Sequence, residues 1–129
     1  MKEIRDEFGK YFLKDGILFF TCHEGVKVDL EAAKKIAATL TSFHKKILHP
    51  LCVDITGVAD TTKSARDFMA VEVSNFSTRC AFVSRSAWGA AIANFYLKVS
   101  KPVVPTKLFD DPERAIEFLR AAEPAEPKP

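Results

Sequence analysis

LCVDITGVADTTKSARD, residues 51–67, decides the architecture of this chain. Leu51 to Ile55 is a short, almost uninterrupted apolar run, the pattern of a strand covered on both faces. Asp54 stands at its end, and a loop bearing Thr56, Thr61, Thr62 and Ser64 follows. Ala65, Phe68, Met69, Val73 and Phe76 then recur at three- and four-residue steps, so the chain enters a helix with Thr61 or Thr62 as its N-cap. A buried strand that passes through a polar loop into a helix is a β-α unit of a parallel sheet. Such sheets hold ligands at the carboxyl ends of their strands.

Moving outward, Phe8–Lys14 and Ile17–Cys22 are aromatic and β-branched runs separated by Asp15-Gly16, a pair that tolerates positive φ and favours a tight hairpin. Asp29 caps a helix predicted to run to about Lys46, with Ala33, Ile36, Ala37, Leu40, Phe43 and Ile47 inward. Its outer face carries Glu31, Lys34, Lys35, Lys45 and Lys46, read as a solvated face. His49-Pro50 ends that helix. Downstream, Arg79–Ser84 is a strand, and a helix starting near Ser86 places Trp88, Ala91, Ile92, Phe95 and Val99 on one stripe, which is read as core. Val103–Phe109 is a strand whose Pro105 suits an edge or a strand start, and Asp111-Pro112 opens a last helix with Ala115, Ile116, Leu119 and Ala122 inward.

The fold class is therefore α/β: a mostly parallel sheet of about five strands, opened by an antiparallel hairpin and packed with four helices. Residues 1–122 form one domain, and the proline-rich, charged residues 123–129 form a disordered tail. The candidate surface is made of three loops at carboxyl ends of strands: Asp54–Thr62, Ser84–Ser86 and Phe109–Asp111.

Composition narrows the function. A chain of 129 residues with an apolar fraction of 47% buries a core without staples. Its 11 Phe against two Met and one Trp point to a core of rigid rings. Nineteen basic and 17 acidic residues, net +2, do not make the concentrated field that holds nucleic acid. Cys22, Cys52 and Cys80 lie in strand-like runs and read as buried hydrophobes, which fits a reducing cytoplasm. His23, His44 and His49 lack metal-ligand spacing, so no metal is expected. No signal-peptide core occurs near the start, and no run approaches the roughly 18 apolar residues of a membrane span. Glycine-rich nucleotide cradles are absent, and no cofactor is implied.

The loops set the chemistry. Thr61, Thr62 and Ser64 sit where unpaired helix N–H groups and the dipole accept a phosphoryl group, although hydroxyls there also serve plain capping. Asp54 needs hydrogen bonds or a cation, with Arg66, Arg79 and Arg85 the nearest in the expected layout. An enzyme built on Asp54 with Thr61 or Ser64 would lack a matched base, so no catalytic residue is assigned. The binding or regulatory set is Asp54, Thr61, Thr62, Ser64, Arg66 and Arg85.

VDITGV (53–58), together with the element order, resembles the STAS fold of anti-sigma-factor antagonists, in which a strand ending in Asp leads to a helix start bearing a phosphorylatable Ser. SARDF (64–68), ANFYLKVSKP (93–102) and PTKLF (105–109) are similar to a bacterial subgroup of small STAS-like proteins, sometimes grouped with CRAL-TRIO lipid-transfer domains because the folds are alike. The family phosphosite reads Asp-Ser-Ser/Thr-Gly, whereas the matching region here is Thr61-Thr62-Lys63-Ser64-Ala65. Lys63 and Arg66 bring positive charge, suiting an anion or a partner's carboxylate. The resemblance implies a non-catalytic regulatory module of bacterial signalling that docks a protein partner through the loop after Asp54. The alternative is a carrier for a small molecule or lipid, with Phe68, Phe76, Phe95 and Tyr96 around a cavity. Unpaired sheet edges also allow a homodimer.

Overall fold

The computed structural model describes residues 2–43 and 47–121. β1 (Glu3–Arg5), β2 (Gly9–Lys14) and β3 (Ile17–Cys22) open the chain, followed by β4 (Val26–Val28) and α1 (Leu30–Thr41). Next come β5 (His49–Asp54), β6 (Val58–Thr61), α2 (Lys63–Glu72) and a 3-10 turn at Val73–Asn75. β7 (Ser77–Val83), α3 (Ala87–Phe95) with a π-helical turn at Tyr96–Ser100, β8 (Thr106–Phe109) and α4 (Pro112–Arg120) complete it. The main sheet has six strands in the order β1-β2-β3-β5-β7-β8, and β4 and β6 form a second, two-stranded parallel sheet. The expected hairpin is present, with Asp15 and Gly16 at positive φ and Gly9 opposite Cys22. From β3 through β8 the sheet is parallel, with Leu51 beside Leu18 and Cys80.

Three strands exceed the expectation of about five in one sheet: β1, β4 and β6. Each is only three or four residues long, too short for its own alternation to register. β1 is held by Asp6, whose Oδ1 accepts from the backbone of Phe8 (2.8 Å) and Gly9 (3.1 Å) and whose Oδ2 accepts from the Tyr11 hydroxyl (2.9 Å). β5 begins at His49 rather than Leu51, and its pairing with β7 skips a step between His49 and Leu51, where Pro50 has no N–H to offer. α1 ends at Thr41 on Ser42, so Ile47 lies beyond the helix and 46% exposed, not in its inner stripe. Lys45, Lys46, His44, Ala122 and the tail 123–129 lie outside the described residues.

Alternation along the strands divides the core between the two faces. Leu18, Phe20, Leu51, Val53 and Cys80 pack beneath α1, α2 and Ala93 of α3, while Ile17, Cys52, Ala81 and Val83 pack beneath Ala115 and Leu119 of α4. Tyr11 is fully buried and stacked on Phe20 at 4.3 Å. Tyr96 meets the Phe82 ring edge-on at 5.5 Å.

Burial has a consequence at high pH. It pushes the Cys22 and Cys52 thiols up to about 12, with the Asp54 charge adding to both. Burial likewise raises Cys80, and raises the phenols of Tyr11 (with the Asp6 hydrogen bond adding) and Tyr96. All five hold their protons in the fold beyond the pH at which the unfolded chain releases them. Their contribution is therefore complete below about pH 9 and is lost as pH rises toward 12 and beyond, by roughly 1.4 kcal/mol per pH unit for each group fully titrating only when unfolded. The urea midpoint is expected to fall steadily between about pH 8.5 and about pH 10.5. A flat profile over that window would contradict this burial.

Candidate functional site

The carboxyl ends of the parallel strands carry two hydrogen-bonded clusters. The first surrounds Asp54, whose Oδ1 accepts from the Thr56 backbone at 2.9 Å and shapes the turn out of β5. Thr56 then ties this turn to the next loop: its Oγ1 accepts from the Arg85 N–H at 3.1 Å, and its carbonyl accepts from the Ser86 hydroxyl at 3.4 Å. Ser84 closes the group by donating to the Ser86 carbonyl (2.8 Å), and its N–H reaches Phe109 O at 3.0 Å. All three expected loops thus adjoin one another. The Asp54–arginine pair does not form among the described residues: Arg66 turns to Thr61, Arg79 Nη1 donates to Phe118 O (3.1 Å), and Arg85 is exposed. The turn's own backbone satisfies the carboxylate more cheaply than a long cationic side chain fixed in place would.

The second cluster starts α2. Thr62 is the N-cap, its Oγ1 accepting from Ala65 N at 3.2 Å and lying 3.2 Å from Ser64 Oγ. Arg66 Nη1 donates to both the carbonyl and the hydroxyl of Thr61, each at 2.8 Å. Lys63 pairs with Asp67 at 2.6 Å, which draws the Asp67 carboxyl below its usual range. The two cations expected to attract an anion are therefore engaged locally. Thr62 and Ser64 are exposed, and Thr61 is half-buried. Asp54 shares no hydrogen bond with Thr61, Thr62 or Ser64 among the described residues, so the pieces of the enzymatic reading are not assembled.

β6 joins the clusters, and α3 staples them together. Trp88 Nε1 donates to Ala59 O at 2.6 Å, and the Arg66 guanidinium lies over the Phe95 ring at 4.8 Å. This corrects the expected inner stripe of α3: Trp88 is 58% exposed, Phe95 48% and Val99 54%. The buried side is instead Gly89, Ala93 and Tyr96. The helix chose its small residues for the close contact. A Cβ at Gly89 would stand 2.5 Å from Ser84 Oγ, 2.9 Å from Ser86 Oγ and 3.1 Å from Ile55 O, so a side chain there would displace the hydroxyls of the first cluster, against which glycine lets α3 sit. A stripe chosen by hydrophobicity alone misses this, whereas the Gly89–Ala93 spacing carries the signal.

Between the sheet and the helices lies a cavity of about 120 Å³, walled by Leu51, Phe76, Cys80, Met69, Ile92 and Tyr96 among others, with polar atoms contributing almost none of its wall. Of the four rings expected around a cavity, Phe76 and Tyr96 are there and Phe68 and Phe95 are not. Among the described residues no three His, Cys, Asp or Glu side chains gather closely enough to hold a metal ion, and no helix is long and apolar enough to cross a membrane.

The model of a family described as a domain of unknown function, DUF7793, matches residues 11–123. The chain belongs to that family. Two solved structures share the fold of this DUF7793 domain. An uncharacterized protein from the DUF3478 family with a SpoIIAA-like fold, from Shewanella loihica PV-4, superposes with a TM-score of 0.52 at 18% identity, over 92% of this chain and 90% of that one. The anti-sigma factor antagonist SpoIIAA in its unphosphorylated form gives a TM-score of 0.52 at 13% identity, over 86% of this chain and 96% of that one. At these identities the likeness is one of fold, and it bears out the STAS-like, mostly parallel α/β architecture. Neither structure is described as a CRAL-TRIO protein. No curated protein matches the chain in sequence.

Proposed function

We propose that this DUF7793 domain is a non-catalytic regulatory module of the cytoplasm, docking a protein partner through the start of α2 and the outer face of α3. The observation that carries the reading is the exposed stripe of Trp88, Phe95 and Val99 beside the hydroxyl-bearing first turn of α2. Aromatic anchors next to arginines are the composition of interface hot spots, and here Arg66 lies over the Phe95 ring. SpoIIAA, which shares the fold, is named as an anti-sigma factor antagonist, and that supports a regulatory role. Thr62 is the residue through which such docking would be regulated. Its hydroxyl is exposed, and a phosphoryl group on it would sit at the positive end of α2 while adding negative charge beside Arg66.

Affinity capture with the wild-type domain, a Trp88→Ser/Phe95→Ser double variant, Thr62→Asp, and Glu117→Lys on α4 tests this. The wild type and Glu117→Lys should retain the same protein. The double variant should lose at least about tenfold of it, and Thr62→Asp should change its recovery. If the wild type retains nothing specific, or the double variant retains as much, the docking surface is not there.

A further inference from the structure

We propose that the cavity between the sheet and α1–α3 is a binding site for a small, uncharged, apolar molecule about the size of one aromatic ring. This goes beyond the docking role and concerns the interior beneath the helices rather than the outer face of α3. Three features of the cavity carry it.

The size fits such a guest. An apolar cavity of about 150 Å³ stays free of water and takes up benzene, and the space here is about 120 Å³. The chemistry of the wall fits as well. Leu40, Leu51, Phe76 and Cys80 form its deep side, all fully or nearly fully buried, and almost no polar atom faces the space. Water there would find too few hydrogen-bond partners, and a cationic guest would find no counter-ion, since no carboxylate lines the space. Of the polar residues in the lining, Thr61 and Arg66 are joined to each other, Thr61 Oγ1 accepting from Arg66 Nη1 at 2.8 Å.

The third feature is a way in. Val28, Thr61, Arg66, Met69 and Ile92 line the cavity and are only partly buried, so its outer side is a set of side chains from β4, β6, α2 and α3. None of these is held by the main sheet. Arg66 and Met69 are a helical turn apart on α2, and rotation of unbranched side chains such as these opens a path without breaking a strand pairing. The space itself exists because the helices present Ala65 and Ala93 to it, residues too short to fill the gap between helix and sheet.

Toluene is the probe, followed through the methyl signals of Met69, Ile92 and Val53 by carbon–proton correlation spectra of the whole chain. The expected result is saturable shifts of these methyls with a Kd of about 1 mM or tighter, while the methyls of Ile116 and Leu119 on α4, across the sheet, stay in place. Ala93→Leu, which grows a side chain into the cavity, should weaken toluene binding at least about tenfold and leave the thermal midpoint equal or higher. Ala65→Val serves the same purpose if Ala93→Leu does not fold. Absence of saturable shifts at Met69 and Ile92 would overturn the proposal. So would a filled variant that binds toluene as well as the wild type. Neither outcome depends on the Trp88/Phe95 capture experiment, since both report on the interior.

Discussion

Gly57→Ala is expected to destabilise the domain by about 3 kcal/mol, lowering the thermal midpoint by about 10 °C. A Cβ at residue 57 would meet the backbone of the 23–24 turn on one side, 2.6 Å from His23 O, 2.8 Å from His23 C and 2.9 Å from Glu24 Cα. All three are main-chain atoms, so no rotamer change relieves the contact. The same approach carries the bond from Gly25 N–H to Gly57 O at 2.7 Å, which holds β4 beside β6. Forcing the two turns apart therefore costs packing and a backbone hydrogen bond together. It also moves Ala59, the acceptor of the Trp88 indole, so the docking stripe should lose its attachment in the same variant. Urea unfolding followed by circular dichroism gives the stability change, and Trp88 emission reports the stripe. A variant with the wild-type midpoint would mean that the 55–57 turn does not rest on the 23–24 turn.

Phe76→Ala should cost about 3–5 kcal/mol. The ring is fully buried where the 3-10 turn after α2 leads into β7, and it forms part of the cavity wall. Truncation removes the ring's own burial and merges its volume with a space that is already empty, so the surroundings have little reason to collapse inward. Phe76→Leu, which keeps most of the volume, should recover more than half of that loss. The pair is read from urea midpoints at unchanged slope, since a changed slope would signal altered compactness instead. A Phe76→Ala loss below about 1 kcal/mol would be at odds with a fully buried ring.

The particular elements show how far the chain can be read without its fold. Asp29, Thr62, Ser86 and Asp111 all cap helices through their side chains, as their residue types and positions implied. Those signals are local, and local signals survive folding. The Asp15-Gly16 hairpin was legible for the same reason. β4 and β6 were not, because three- and four-residue strands exist only by virtue of each other: Val26 pairs with Val58 across the whole of α1 and β5. The site divides in the same way. The three loops could be named from strand ends, yet their joining through Thr56, and the separation of Asp54 from Thr61 and Thr62, are long-range facts.

By itself the sequence determined the caps of α1 and α4 and narrowed those of α2 and α3 to neighbouring residues, and it determined the hairpin, the alternation of strand and helix, and hence a parallel α/β sheet with its loops at one end. Each of these follows from forces acting within a few residues or from periodicity along one element. Only the tertiary structure decided which side of α3 faces inward, what satisfies Asp54, and that a cavity remains under the helices. Hydrophobicity favoured burying Trp88 and Phe95. The shape of the neighbouring loop favoured Gly89 and Ala93, and close packing won because a backbone that fits within contact distance leaves no room for a ring.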